Sequence, residues 1–318
     1  MRVKALIIGA AGFVGGYLID ELDRNGQEVH ATCLPNEKIS GNCTAHTLDI
    51  LKKDDISAIL DDVKPDVVYH LAAQSSVALS WKKPRLTAEI NVVGTLNVLE
   101  AVRECEKKMR LILIGSGEEY GFIREGACPL KETENLAPGN IYAATKACQG
   151  MLGGIYARAY GMDIVMVRAF NHSGAKQSPM FVISDFCKQI AEIEYGLKEP
   201  VISVGNLEAM RDFTDVRDVV RAYRMLSENG RSGQVYNVGR GQAVKISRIL
   251  ETALSYAKCG ITVTQDKARM RAADIPLIEP DVSKINEDTG WKAEISMEQT
   301  IEDTLDYWRE ALRGNENV

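Results

Sequence analysis

The feature that most constrains the fold is an apolar run at the start of the chain that leads directly into a glycine-rich turn. Residues 3–10 are apolar and rich in β-branched side chains, which predicts a buried strand. Gly9, Gly12 and Gly15 follow with G-x-x-G-x-x-G spacing, and residues 17–22 have helical periodicity. The first glycine would permit a tight turn, the second would let backbone approach a pyrophosphate, and the third would let the helix pack on the strand. Because the helix N-terminus would face phosphates with unpaired N–H groups, the segment predicts a dinucleotide site.

Strand and helix patterns alternate from this segment to about residue 170. The predicted strands are 3–9, 27–32, 66–71, 110–115 and 163–169. The predicted helices are 13–24, 54–61, 86–107 and 141–160. This β-α-β alternation is typical of an α/β fold with a Rossmann-type doubly wound parallel sheet.

The pattern changes after residue 170, where a smaller mixed lobe is expected. Residues 171–179 are predicted to form a loop. Later elements are a helix at 181–196, a strand at 200–204, a helix at 216–227, a strand at 235–238 that rejoins the sheet, and a helix at 297–313. The expected NAD(P)-binding domain is therefore 1–170 plus about 205–238. The expected C-terminal substrate lobe is about 171–204 and 239–318.

Composition points to a cytoplasmic protein that binds small molecules. A chain of 318 residues with a net charge of −6 gives no support for nucleic acid or an anionic membrane as a partner. The seven cysteines are scattered and odd in number, which indicates reduced thiols, and the four histidines do not cluster, so no metal site is expected. No signal peptide is expected before the first strand, and no apolar run reaches the ~20 residues of a membrane span.

Three polar residues suggest proton-transfer chemistry. Tyr142 and Lys146 are four residues apart in a predicted helix and would share one face. A neighbouring cation favours the phenolate, so the tyrosine is expected to exchange a proton near neutral pH. Ser116 ends an apolar strand, where ligands bind in open α/β sheets, and would orient a carbonyl or alcohol oxygen. The alternatives are an ordinary helix surface pair and a strand-end cap.

Together these motifs resemble the extended short-chain dehydrogenase/reductase family over nearly the whole chain. The matching markers are the glycine turn, Leu48-Asp49-Ile50, His70-Leu71-Ala72-Ala73, Ser116 and Tyr142-x-x-x-Lys146. The resemblance implies an NADP(H) or NAD(H) cofactor, with Tyr142 and Lys146 also touching it. The resemblance also assigns to cofactor binding the turn residues Gly9, Gly12, Phe13, Val14 and Gly15. It implies that Asp49 and Ile50 flank the adenine and that Leu71, Ala72 and Ala73 line the cofactor.

Within that family the chain looks most like the GDP-sugar branch, in particular reductases of GDP-6-deoxy-4-keto-mannose that form GDP-rhamnose. The segments that carry this likeness are 71–77, 114–121, 170–172, 204–218, 269–271 and 289–291. Two loops depart from the pattern: Gly174-Ala-Lys-Gln177 replaces Gly-Pro-Gly-Gln, and Ala272 follows Arg271 where family members often read Arg-x-Arg-Pro. Both loops lie near the expected substrate, so they bear on the sugar and not on the fold.

The same segments provide candidates for binding a nucleotide sugar. Arginine suits a diphosphate because its planar group can bind two oxygens, and Arg211 and Arg271 are the candidates. Their alternative is a surface ion pair with Asp212 or Asp274. Ser75 and Asn171 are expected near the sugar, and Val182 near the nucleotide base. Helices 86–107 and 141–160 have small or apolar faces and are expected to form a homodimer, unless those faces are buried within one subunit.

The expected reaction is reduction of a nucleotide-linked 4-keto-6-deoxyhexose, in particular GDP-4-dehydro-6-deoxy-D-mannose to GDP-D-rhamnose. NAD(P)H would supply the hydride and Tyr142 the proton. By resemblance, related 4,6-dehydratases have a sequence like Thr-Ser-Glu or Thr-Asp-Glu at the positions where this chain has Ser116, Gly117 and Glu118. Glu118 keeps the carboxylate and is expected to be solvated or outside direct contact with the sugar. The alternatives are a GDP-mannose 4,6-dehydratase, a nucleotide-sugar 4-epimerase, and a cofactor-binding regulatory protein without catalysis.

The residues after the second predicted strand bear on cofactor preference. An acidic residue there would hold the ribose 2′-OH of NAD, and an arginine would accept the 2′-phosphate of NADP. Neither is expected at the end of the strand, although Lys38 follows nearby. The sequence therefore favours NADPH slightly, with NADH tolerated.

Overall fold

The fold is built on a seven-stranded sheet in which every pair of neighbouring strands is parallel. The structure is a computed structural model that describes residues 2–124, 126–266 and 275–315. The strands of this sheet are β1 (Lys4–Ile8), β2 (Glu28–Cys33), β3 (Thr44–Thr47), β4 (Val67–His70), β5 (Arg110–Ser116), β6 (Ile164–Ala169) and β10 (Val235–Val238). Their order is β10-β6-β5-β4-β1-β2-β3. This confirms the predicted Rossmann-type sheet, including the return of 235–238.

Helices cover both faces of the sheet because successive strand residues point to opposite sides. In β1, Ala5 and Ile7 pack in one core cluster, whereas Leu6 and Ile8 pack in another. The first cluster contains apolar residues of α1 (Phe13–Arg24) and α8 (Val216–Asn229). The second contains those of α2 (Lys53–Val63) and α5 (Gly94–Glu104). Burial on both faces explains why the strands are continuous apolar runs.

The remaining helices near this sheet lie between β4 and β6 in the chain. They are α3 (Val77–Lys82), α4 (Pro84–Ala88) and α6 (Ile141–Tyr160). The helix predicted at 86–107 begins earlier, at α4, passes through a π turn (Glu89–Val93) and ends with α5 at Glu104. Residues 105–107 are not helical, since Cys105 has an extended backbone.

A smaller group of elements forms two further sheets with their own core. The strands are β7 (Asn171–Ser173), β8 (Val201–Val204), β9 (Met210–Asp215), β11 (Ala243–Lys245), β12 (Thr262–Gln265) and β13 (Leu277–Ile278). The helices are α7 (Val182–Glu194), α9 (Ile246–Ser255) and α11 (Met297–Asn315), whereas α10 (Ser283–Thr289) packs against α8 and β10 of the large sheet. Apolar residues of α7, α9 and α11 pack together in one cluster. The mixed character of this part was predicted, and the proposed domain boundaries stay a prediction.

Two parts of the sequence prediction were wrong or incomplete. Residues 171–173 were expected in a loop but form β7, which pairs in parallel with Phe213–Asp215 of β9. β3 was not predicted because its residues are polar or small and mostly exposed, so it lacks an apolar pattern. Among the described helices, none combines the length and apolarity that would let it cross a bilayer.

Candidate active site

The glycine turn after β1 has the geometry of a phosphate cradle. Gly9 has a φ of +88°, and a Cβ there would lie 2.5 Å from the Ala72 Cα. A Cβ on Gly15 would overlap the carbonyl oxygen of Ala10. Both positions therefore require glycine, the first for its backbone and close approach, the second for helix packing.

Gly12 differs from its two neighbours, because its side of the turn is open. A Cβ added at Gly12 would meet no heavy atom of the described residues within 4 Å. Gly12 is also the N-cap of α1, which has no acidic side chain in its first turn. Open space beside this helix N-terminus fits the pyrophosphate of a dinucleotide. The residues present thus fit the nicotinamide cofactor that the turn predicts.

The other predicted cofactor residues surround this turn. Ala72 contacts Gly9 as described above, and the N–H groups of Leu71 and Ala72 both donate to the Ile8 carbonyl at 2.9 Å. Ile50 is buried, and its Cδ1 would lie 2.5 Å from a Cβ on Gly94, so the glycine lets α5 approach it. Asp49 is half-buried and accepts the Leu51 N–H at 3.0 Å.

Three more predicted cofactor residues are only partly buried. Phe13 stacks on the ring of His172, with centroids 6.2 Å apart and planes 5° apart. Val14 and Leu71 pack at the edge of the first core cluster, and Ala73 is half-buried beyond β4. The structure therefore gathers the predicted cofactor residues at the carboxyl edge of the sheet, while their contacts with a cofactor stay a prediction.

A carboxylate does lie at the end of β2, contrary to the sequence prediction. Glu37 folds back so that its Oε2 accepts the Leu34 N–H at 3.0 Å, directly after Cys33. Its own N–H donates to the Leu34 carbonyl, also at 3.0 Å. The prediction failed because a four-residue turn, and not the linear sequence, returns this side chain to the strand end. A carboxylate at this edge is the group that holds a ribose 2′-OH.

Ser116, Tyr142 and Lys146 meet where β5 ends against α6. The Ser116 hydroxyl lies close enough to the Tyr142 hydroxyl to act on its pKa, and it lowers that pKa. The Ser116 Oγ also accepts the Glu118 N–H at 3.2 Å. Lys146 is buried, and its Nζ donates to the Ile114 carbonyl at 2.7 Å and to Gln149 Oε1 at 3.0 Å. The three predicted catalytic residues are therefore brought together.

The protonation of this group differs from the sequence expectation. Burial raises the pKa of Tyr142 to about 12. The negative charges of Glu119 and Glu118 also raise it, whereas the neighbouring Ser116 hydroxyl lowers it. Burial lowers the pKa of Lys146 to about 8, although the negative charge of Glu119 acts to raise it. Lys146 was expected to favour the phenolate, but its ammonium is directed to Ile114 and Gln149. Desolvation therefore dominates, and Tyr142 holds its proton at neutral pH.

A small cavity opens beside Ser116 at the carboxyl edge of the sheet. It is lined by Ser116, Gly117, Glu118, Ala169, Phe170, Asn171, Asp212 and Ile278. Glu118 is half-buried and accepts a hydrogen bond from Asn140 Nδ2 at 3.2 Å, so it faces the cavity and is not simply solvated. A Cβ on Gly117 would lie 3.0 Å from the Phe170 ring.

The predicted substrate residues are more dispersed. Asn171 lines the cavity and is exposed, Ser75 is exposed after β4, and Val182 is half-buried at the start of α7. Arg211 is buried on β9, where its Nη1 donates to the Met210 carbonyl at 2.8 Å. It is therefore not the surface residue of the alternative interpretation. Arg271 lies outside the described residues.

Two buried acids of this region were missed. Asp212 accepts the N–H groups of Arg240 and Gln242 at 2.8 and 2.9 Å, and burial raises its pKa to about 6. Glu119 is 2% exposed and pairs with Arg168 on β6. The signal for Glu119 was its position directly after an apolar strand, but nothing in the sequence indicated which cation lies beside it.

The glycine turn, the Ser116–Tyr142–Lys146 group and the small cavity all lie at the carboxyl edge of the sheet. A profile of the GDP-mannose 4,6 dehydratase family matches residues 6–304. The chain belongs to this family. Its fold and its marker residues are those of the extended short-chain dehydrogenases/reductases, and membership places it among nucleotide-sugar oxidoreductases and dehydratases.

Individual relatives include both reductases and dehydratases. The GDP-6-deoxy-D-mannose reductase of Pseudomonas aeruginosa is 33% identical, and the alignment covers 98% of this chain and 99% of the relative. A GDP-mannose 4,6-dehydratase of Vibrio cholerae is 30% identical, over 94% of this chain and 92% of the relative. Full-length similarity to both classes supports the nucleotide-sugar family without deciding the reaction.

Solved structures agree on the fold. The structure of RMD from Pseudomonas aeruginosa complexed with NADPH has a TM-score of 0.88 and 32% identity, over 98% of this chain and 100% of that one. The UDP-glucose 4-epimerase of Thermus thermophilus in complex with NAD has a TM-score of 0.87 and 26% identity, over 97% of this chain and 100% of that one. The predicted class of cofactor, NADP(H) or NAD(H), matches those of both neighbours.

Proposed function

We propose that this protein reduces the C4 carbonyl of a nucleotide-linked 4-keto-6-deoxyhexose, in particular GDP-4-dehydro-6-deoxy-D-mannose to GDP-D-rhamnose. The observation that carries the proposal is the contact between Gly117 and Phe170. A Cβ at position 117 would lie 3.0–3.1 Å from three atoms of the Phe170 ring, which is closer than ordinary van der Waals contact. The additional hydroxyl or acid that related dehydratases carry here therefore has no room unless Phe170 moves.

The protonation of Tyr142 supports the same direction of reaction. Reduction of a ketone requires a proton donor, whereas the first step of dehydration or epimerisation oxidises an alcohol and requires a base. With a pKa raised to about 12, Tyr142 carries its proton at neutral pH. It remains a strong enough acid to protonate an alkoxide oxygen, which is far more basic.

Ser116 and Tyr142 have different roles in the proposed reduction. When bound, the nicotinamide cofactor supplies the hydride to C4. Ser116 accepts the Glu118 N–H, so its own O–H can turn from Tyr142 to orient the sugar oxygen. Tyr142 gives its proton to that oxygen as the oxygen gains the electron pair. Tyr142 must then regain a proton before the next turnover.

Two features support a GDP-linked substrate and leave the cofactor open. The reductase and dehydratase relatives act on GDP sugars, and Arg211 is a buried cation beside the cavity-lining Asp212.

Glu37 at the end of β2 favours NAD(H), whereas the neighbour of TM-score 0.88 was solved with NADPH. We therefore retain NADP(H) or NAD(H), and cytoplasmic localisation stays a prediction.

A substrate and cofactor panel tests the proposed reaction. GDP-4-keto-6-deoxy-mannose is supplied with NADPH or NADH, and absorbance at 340 nm is followed. We expect consumption of reduced cofactor and formation of a GDP-6-deoxyhexose. Turnover of GDP-mannose itself, without oxidation of either cofactor, would overturn the reductase proposal in favour of dehydration.

Glu118 is the observation that favours dehydration as the second candidate, because its carboxylate lines the cavity beside Ser116. We expect Glu118→Gln to lower reduction by less than about tenfold, since a group used in proton transfer typically contributes ~10²–10⁴-fold. Steady-state rates at 340 nm measure this effect. Glu134→Gln is the control, because Glu134 pairs with exposed Arg124 and is not among the cavity-lining residues. A loss of a hundredfold or more with Glu118→Gln alone would assign the carboxylate to the chemistry.

A homodimer through α4–α5 and α6 is also proposed. Several large apolar side chains on these adjacent helices are exposed: Leu86, Val93, Met151, Ile155 and Tyr160. Val98, by contrast, is fully buried within the subunit, so only part of the predicted face is available. Adjacent exposed apolar side chains on a soluble protein indicate an interaction surface.

Ile155→Asp is expected to convert the dimer to a monomer at micromolar concentration, because a buried unpaired carboxylate is costly at an interface. Sedimentation velocity measures the change. Leu197→Asp, on an exposed apolar residue outside these helices, should leave the dimer intact. A monomeric wild-type protein, or a dimer that Ile155→Asp does not alter, would contradict the proposed interface.

A further inference from the structure

Glu119 is a buried carboxylate directly behind the proposed catalytic group. It lies in the single 3-10 turn (Gly117–Tyr120) that follows β5, and it is 2% exposed. Its Oε1 accepts the Ser116 N–H at 2.8 Å, and its Oε2 accepts the Arg168 Nε–H at 3.2 Å. The side chain therefore joins the backbone of the catalytic serine to a buried cation on β6.

The surrounding residues are shaped to admit this carboxylate. A Cβ on Gly115 would overlap Glu119 Oε1, so glycine is required at that position for the hydrogen bond to Ser116. A Cβ on Gly150 of α6 would lie in contact with Oε2, at 3.6 Å. Two glycines on different elements thus accommodate the carboxylate.

Its ion-pair partner makes further contacts of its own. Arg168 donates from Nη1 to the Tyr120 hydroxyl and to the Glu132 carbonyl, each at 3.0 Å, and its guanidinium lies 4.8 Å from the Tyr120 ring centroid. A buried ion pair is weak evidence for stability, because desolvation opposes the attraction of the charges. A role for Glu119 in the site therefore rests on its hydrogen bond with the Ser116 N–H and not on the ion pair alone.

The charge of Glu119 acts on both proton-transfer residues. It raises the pKa of Lys146 against the lowering by burial, and it reinforces the raised pKa of Tyr142. The other titratable groups around Lys146 are Tyr142 on its own helix and buried His70 at the end of β4, whose pKa is lowered by burial and by Lys146. Arg168 faces Glu119 from β6, and Glu118 acts on Tyr142.

We propose that Glu119 is a positioning residue whose carboxylate, set between Gly115 of β5 and Gly150 of α6, holds the Ser116 backbone in place and serves Lys146 as a buried counter-charge. Its role in turnover rests on the reduction proposed above. Its effect on Lys146 does not, because that effect depends only on the charges of the folded protein. The two can therefore be tested separately.

The first test measures Lys146 directly. Lysine Nζ signals are followed against pH by NMR in ¹⁵N-lysine-labelled protein, with Lys146→Met identifying the signal. Glu119→Gln keeps an acceptor for the Ser116 N–H but removes the charge. We expect the Lys146 titration midpoint to fall by about one pH unit or more, because the charge of a buried carboxylate is weakly screened. An unchanged midpoint would overturn the proposal even if the enzyme turns over.

The second test separates the charge effect from damage to the fold. Glu119→Gln leaves Arg168 unpaired, so the double variant Glu119→Gln/Arg168→Gln is prepared as well. The basic limb of kcat/KM, measured for the proposed reduction, should shift to lower pH in both variants. Recovery of the wild-type pH profile by the double variant would show that the unpaired arginine caused the defect, and would overturn the role of Glu119. Absence of turnover in the wild-type protein would refute the reductase proposal and leave the NMR result standing.

Discussion

Tyr142→Phe is expected to lower kcat for the proposed reduction by about 10²–10⁴-fold, the typical contribution of a positioned general acid. The substitution removes only the hydroxyl, so the ring still fills its half-buried place on α6. Ser116 keeps its hydrogen bond from the Glu118 N–H. Single-turnover and steady-state oxidation of reduced cofactor at 340 nm measure the loss.

The control for this substitution lies on the same helix. Tyr160 is 57% exposed at the end of α6, away from Ser116, so Tyr160→Phe should change kcat less than about twofold, as expected of a surface substitution. Cofactor affinity and melting temperature should remain close to wild type in both variants. An active Tyr142→Phe enzyme would contradict the proton-donor role and would favour a cofactor-binding protein without this chemistry.

Gly12→Ala and Gly15→Ala are expected to have opposite consequences, although they lie three residues apart. Gly12 has a φ of −73°, which alanine adopts without strain, and its Cβ would enter open space. Since that space fits the pyrophosphate, an alanine methyl group would keep the phosphates from approaching the backbone. Gly12→Ala should therefore weaken cofactor binding by about tenfold or more, which corresponds to ~1.4 kcal/mol of binding free energy. The free energy of unfolding without cofactor should be nearly unchanged.

Gly15→Ala instead forces the start of α1 away from the turn at Ala10, because its Cβ overlaps the Ala10 carbonyl oxygen. Overpacking of this kind typically lowers the free energy of unfolding by about 1–3 kcal/mol. Urea unfolding and a fluorescence titration with NADPH distinguish the two variants. Equal destabilisation by both alanines, or unimpaired cofactor binding by Gly12→Ala, would contradict the assignment of Gly12 to the phosphate cradle.

Much of the parallel sheet could be predicted from the sequence because its strands are buried on both faces. Residues such as Leu6 and Ile7 are apolar regardless of the face they occupy, so the run is visible without knowing the fold. β3 and β7 could not be found in this way. Their residues are polar or exposed, and each strand exists because a neighbouring strand offers unpaired backbone groups.

The candidate site shows the same division. Ser116, Tyr142 and Lys146 were identified because their spacing and their place after a strand are local properties. Glu37 at the end of β2 was misjudged because a turn reverses the chain. Arg271 lies outside the described residues, so its assignment to the diphosphate stays a prediction.

The sequence by itself therefore determined the cofactor-binding architecture, the three proposed catalytic residues and the nucleotide-sugar family, because these depend on local periodicity and motif spacing. Only the tertiary structure decided the protonation of Tyr142 and Lys146, since desolvation depends on what packs around a side chain. Only it showed that the Phe170 ring occupies the space beside Gly117 and that Glu119 pairs with Arg168, because each contact joins residues that are far apart in the chain.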